Sequence, residues 1–150
     1  MNMKDPINNS LKERTESIGR MMLGDCNAEP LKMASLTGFD RSHKPNAVLE
    51  HGDIYDLLSN PDAEFLVKDA HYSMLVTTGW AAPNNDDHDG APSTHPDRRR
   101  VVVVFGFNKV EQWVSVGFEG DEEMQGCHKG EGMLADAVQD LICRSEKETN

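Results

Sequence analysis

The residues best suited to chemistry gather between positions 80 and 100. The stretch from Ala82 to Asp97 reads APNNDDHDGAPSTHPD, sixteen residues dense in possible ligands. Loops longer than about 12–15 residues without structure of their own are usually functional or disordered, so this one is either a site or a solvated segment. Asn85, Asp87, Asp89 and Gly90 match the opening of a calcium loop. The match then fails, because position one is Asn rather than Asp and position twelve is Pro96 where a bidentate Glu belongs. The expectation is a solvated acidic turn with no tight calcium. His88, His95 and Asp97 are ligand types that zinc accepts, yet no HExxH or paired-Cys spacing frames them, and no metal is expected. Ser93 near His95 sits in no G-x-S-x-G elbow. Cys127 beside His128 is the best cysteine nucleophile on offer, but neighbours in one loop rarely aim at the same reacting atom. Arg98, Arg99 and Arg100 form the one basic run. They either hold an anion or pair with the acidic loops around them. Trp80 is a ligand platform or simple cross-strand packing. The candidate binding loop is therefore Trp80, His88, Ser93, His95, Asp97, Arg98, Arg99 and Arg100. No residue is assigned a catalytic role, and no cofactor is expected.

These residues need a frame. Ser10 and Glu13 make a capping box, and Leu11, Ile18 and Met22 share one face of a helix that Gly24 would stop. That stripe is thin, so residues 1–45 read as a flexible arm with one marginal helix. Asn46 caps an expected helix over 47–58, with Val48, Leu49, Ile54, Leu57 and Leu58 as its apolar side. Asn60-Pro61-Asp62 starts another at 61–69, with Phe65 and Leu66 turned inward. The period then changes to two. Tyr72, Met74, Val76, Thr78 and Trp80 share one face of a strand. Arg99 to Phe107 contains VVVVF, apolar on both faces, and so belongs at the centre of a sheet. A turn at 106–109 leads to a third strand, with Val110, Val114, Val116 and Phe118 inward. An acidic, Gly-rich loop over 119–132 precedes a last helix at 133–143, striped by Leu134, Ala137, Val138, Leu141 and Ile142. The expected fold is α+β: a three-stranded antiparallel β-meander flanked by helices, in the order α-α-β-β-β-α, spanning residues 46–144, with a loosely ordered N-terminal arm and a disordered tail at 145–150.

Composition narrows the function classes. At 150 residues the chain suits one domain, large enough to fold without a metal or disulfide. Cys26, Cys127 and Cys143 are odd in number and widely spaced, which favours reduced thiols in a cytoplasm. No apolar run reaches the length of a signal peptide core or a membrane span. Net charge is −11, and it is uneven: residues 1–44 carry +1 and residues 45–150 carry −12. Such a body repels nucleic acid and anionic lipid and favours a basic protein partner, if it favours any.

The segments TTGWAAP at 77–83 and APSTHPDRR at 91–99, followed by a Val-rich strand and GMLADA at 132–137, carry a resemblance. They look like a group of small proteins encoded by actinobacteria and their phages, over about residues 47–142. The resemblance implies a compact fold and a phage or actinobacterial origin, and it brings no activity. The expected function is a non-enzymatic interaction or regulatory protein, such as a phage accessory factor acting on a host macromolecule. The alternative is a small hydrolase or metal-dependent enzyme built on the 82–100 loop.

Overall fold

The computed structural model describes residues 10–29, 31–81, 97–130 and 132–147. The elements run α1 (Leu11–Ala28), β1 (Ala34–Phe39), β2 (Pro45–His51), α2 (Ile54–Ser59), α3 (Pro61–Asp69), β3 (Tyr72–Ala81), β4 (Arg99–Phe107), β5 (Gln112–Phe118), β6 (Cys127–Lys129) and α4 (Met133–Lys147). All strand pairs are antiparallel, in the spatial order β2-β1-β3-β4-β5-β6. The α+β class therefore stands, but the three-stranded meander does not: among the described residues the sheet has six strands and four helices accompany it. No helix among them is long and apolar enough to cross a membrane.

Several elements form for reasons visible in the chain. Asn60 caps α3, its side chain accepting from the Asp62 N–H at 2.9 Å, and Pro61 fills the first helical position. Ser10 caps α1 by accepting from the Glu13 N–H. Asn108 ends β4 with a side-chain turn, accepting from the N–H groups of Val110 at 2.7 Å and Glu111 at 2.9 Å. That turn lies two residues later than expected, so Val110 sits at its tip, 89% exposed, instead of facing the core.

The helices cover both faces of the sheet. On one, α2, α3 and α4 pack Leu57, Leu58, Leu66, Val67, Val138, Leu141 and Ile142 onto Leu36, Leu75, Phe105 and Phe107. On the other, α1 lies across β4 and β5, burying Leu11, Ile18, Leu23 and Cys26 against Met74, Val76, Val102 and Val104. This second layer overturns the loose arm. Residues 11–28 are a core helix running past Gly24, and residues 34–39 form a strand between β2 and β3. A boundary at 45/46 would separate β1 from β2, its paired neighbour.

The expected helix over 47–58 is also corrected. Its first half is β2, and only Ile54–Ser59 is helical, started by Asp53, whose carboxylate accepts from the N–H groups of Tyr55 and Asp56. Gly52 and the capping Asp53 break the chain where an unbroken helix was expected. The tail expected to be disordered from 145 is helical through Lys147, the end of α4. Phe65 also departs from expectation. Ala63, Leu66 and Val67 already complete the inward stripe of α3, and Phe65 points away from it, 54% exposed.

Candidate functional site

The β3–β4 hairpin carries the predicted arginine–tryptophan group to one end of the sheet. Trp80 pairs with Arg100 and Ala81 with Arg99 across the two strands. Alternation along β4 sends Arg100 to the face that α1 covers, with Val102 and Val104, and sends Arg99 to the opposite face. Two guanidinium groups lie on the indole: the Cζ of Arg98 is 4.8 Å from the Trp80 ring centre and that of Arg100 is 5.0 Å. Arg100 also stands 3.4 Å from a Glu119 carboxylate oxygen, an ion pair held by charge without hydrogen-bond alignment. Arg99 covers the Phe118 ring at 4.9 Å and donates to Asp121 and to the Glu119 carbonyl. Each such exposed contact contributes about 0.5–1 kcal/mol or less. Together they fasten the hairpin end to the loop after β5. Arg99 and Arg100 are thus engaged within the chain by Asp121 and Glu119.

His88, Ser93 and His95 lie outside the described residues, and Asp97 stands in a turn before β4. Among the described residues no three His, Cys, Asp or Glu side chains converge to hold a metal ion. Cys127 and His128 are consecutive in β6 and so point to opposite faces of the sheet. Burial pushes the Cys127 thiol up to about 11, and Glu16 adds to the effect. The thiol is protonated at neutral pH, the wrong state for a nucleophile.

Tyr72 joins three elements. Its ring stacks on Phe39 at 5.0 Å, nearly parallel. Its hydroxyl oxygen accepts from Nε of Arg14 at 3.0 Å and lies 2.8 Å from Nδ1 of His43. Burial raises the phenol above its ordinary range, so it stays neutral and serves as a polar anchor for α1.

A different surface is open. β2 pairs with β1 on one side, and among the described residues no strand lies on its other side. Helix α3 runs beside this edge and turns Asp62, Phe65, Leu66 and Asp69 toward it, a stripe at helical spacing i, i+3, i+4, i+7. These four residues and Asn46, Ala47, Val48 and Leu49 of β2 line a groove of about 270 Å³. Leu66 is buried at its base, and Phe65 stands exposed on its wall. Asp62 and Asp69 sit at the two ends of the helical stripe. The groove was hidden because Asn46 was expected to cap a helix over 47–58 and Phe65 to face the core. The available signal was Phe65 itself, an aromatic one step off a stripe that was already complete.

The chain matches no protein-family model, no curated protein and no solved structure.

Proposed function

We propose that this chain is a non-enzymatic interaction protein of the cytoplasm that engages a basic protein partner. The observation that carries the reading is the groove between β2 and α3, where an exposed Phe65 stands between two carboxylates beside an open strand edge. Large apolar side chains left in water beside unpaired backbone are the usual mark of a contact surface. The net charge of −11 favours a partner of opposite sign, speeding encounter and excluding acidic competitors. The resemblance to small proteins of actinobacteria and their phages supports the role of an accessory factor acting on a host macromolecule.

The test is capture on the immobilised full-length chain from an actinobacterial lysate, with the free chain as competitor. A saturable, basic partner that is displaced by the free chain and released as salt rises is the expected result. Retention of acidic proteins alone, or of none, overturns the reading.

A further inference from the structure

Resting on that reading, we infer that the β2–α3 groove receives an extended segment of the partner, added as a seventh strand antiparallel or parallel to β2. The segment carries an apolar residue opposite Phe65, with Lys or Arg two places to either side.

The backbone comes first. An edge strand presents N–H and C=O groups that only water or another strand can satisfy, and strand addition satisfies a row of them at once. Pro45, which has no N–H, lies at the start of β2, so the alternate outward-pointing N–H groups beyond it are intact.

Side-chain alternation sets the pattern. Ala47 and Leu49 pair with Gly38 and Leu36 on the face that α2 and α3 cover, while Val48 pairs with Thr37 on the opposite face. An added strand therefore turns every second residue toward α3, where Phe65 and Leu66 form an apolar seat. The residues between turn toward the side of Val48, where a second small apolar group fits.

Charge then specifies the flanks. Asp62 and Asp69 are seven residues apart on α3, a rise of about 10 Å. Residues two places either side of a central one in a strand are about 13 Å apart and share its face. Two long basic side chains on that face therefore reach both carboxylates while the central residue meets Phe65. An acidic segment would meet like charge at both ends.

The probe is a capped synthetic peptide with the core Lys-Val-Ile-Val-Lys and Gly-Ser flanks, titrated into the isotope-labelled full-length chain. The expected result is amide shifts confined to 46–49 and 62–69, with slowed hydrogen exchange along β2. Phe65→Ser should weaken binding roughly tenfold or more. Asp62→Asn with Asp69→Asn should weaken it and flatten its salt dependence. Phe65 is largely exposed, so Phe65→Ser should fold; an unchanged spectrum of the free protein checks this.

Four results overturn the inference. Shifts at the acidic loop over 119–125 instead of the groove would remove the groove while leaving the basic-partner reading intact. No binding of the peptide, with lysate capture still succeeding, would do the same. Sedimentation of the free chain as a dimer that Phe65→Ser dissociates would show that a second copy occupies the edge. Failure of both peptide and lysate capture overturns the inference and the proposed function together.

Discussion

Thr15 of α1 rests on the bare backbone of Gly106 in β4. A side-chain carbon at position 106 would lie 2.0 Å from Oγ1 of Thr15, inside any allowed contact. One turn further along α1, Gly19 meets Ser115 of β5, where its own added carbon would come within 3.0 Å of the Ser115 oxygen. Small residues thus face each other on helix and sheet, and α1 sinks close enough to bury Leu23 and Cys26 completely. Close approach of this kind requires glycine because no other residue leaves the backbone uncovered.

Gly106→Ala should therefore destabilise the fold by about 1–3 kcal/mol through overpacking, measured by urea unfolding. Thr15→Ala made in the same chain should return part of the loss, since it removes the atom in the way. A Gly106→Ala variant as stable as the parent, or a double variant showing no coupling, would mean that α1 does not bear on β4.

Leu141 tests the opposite layer. It is fully buried in α4 among Leu57, Val138 and the aromatic residues of β4. Leu141→Ala should cost about 2–5 kcal/mol, the transfer of the lost methyl groups plus the cavity left behind. Arg144, one turn on, ties α4 to Glu64 of α3 and to the Leu58 carbonyl, so the helix cannot easily slide to fill the space. A melting temperature within a degree or so of the parent would exclude this packing.

How much of this could be read from the residues depends on how strongly each segment declares itself. Val101 to Phe105 declared a central strand because an apolar run covered on both faces has few other places to go. Asn60-Pro61-Asp62 declared the start of α3 because cap, fixed φ and dipole agree. β1 stayed hidden: its buried face is Ala34, Leu36 and Gly38, which offers one large apolar residue. β2 was mistaken for a helix because Val48, Leu49, Ile54, Leu57 and Leu58 mimic a helical stripe across a break at Gly52-Asp53. α1 looked detached because its apolar stripe is thin and its seat on β4 and β5 is made by small residues, Thr15 and Gly19 against Gly106 and Ser115, which carry no hydrophobic signal. The pairing of Arg99 and Arg100 with carboxylates was legible from the acidic loops around them, whereas the stacking of Arg98 and Arg100 on Trp80 was not. The groove was not, since it exists only where an unrecognised strand meets a helix face.

Cys127 and Cys143 should differ sharply toward alkylation. Cys143 is exposed on α4, whereas Cys127 donates to the Lys12 carbonyl at 3.8 Å and its thiol is pushed up to about 11 by burial. At pH 7–8 iodoacetamide should label Cys143 first, followed by peptide mass spectrometry. Labelling of Cys127 should rise about tenfold per pH unit until it levels near 11. The sign for stability follows from the same shift. Below about pH 9 the thiol is protonated in both folded and unfolded chains and contributes no pH dependence. Between about 9 and 11 the unfolded chain releases its proton first, so stability falls as pH rises through that window. Equal labelling of the two cysteines at pH 7.5 would show that β6 does not hold Cys127 against α1.

Asp69 separates stability from binding within one side chain. It ends α3, where the carbonyl end of the helix dipole is negative and a carboxylate is unfavourable; Asp62, in the first turn, is favourable. Asp69→Lys should therefore stabilise the free protein by about 0.3–1 kcal/mol, seen as a small rise in melting temperature that shrinks in high salt. The same change puts a cation at one end of the groove and should repel the basic flank of an added strand, lowering affinity for the Lys-Val-Ile-Val-Lys peptide. A substitution that improves the fold while damaging recognition identifies a residue held for its ligand, because the helix alone would prefer the lysine. If Asp69→Lys leaves peptide binding unchanged, the carboxylate is part of the solvated surface and the acidic flank of the groove is lost. If it lowers the melting temperature instead, Asp69 serves the fold through a contact that outweighs the dipole.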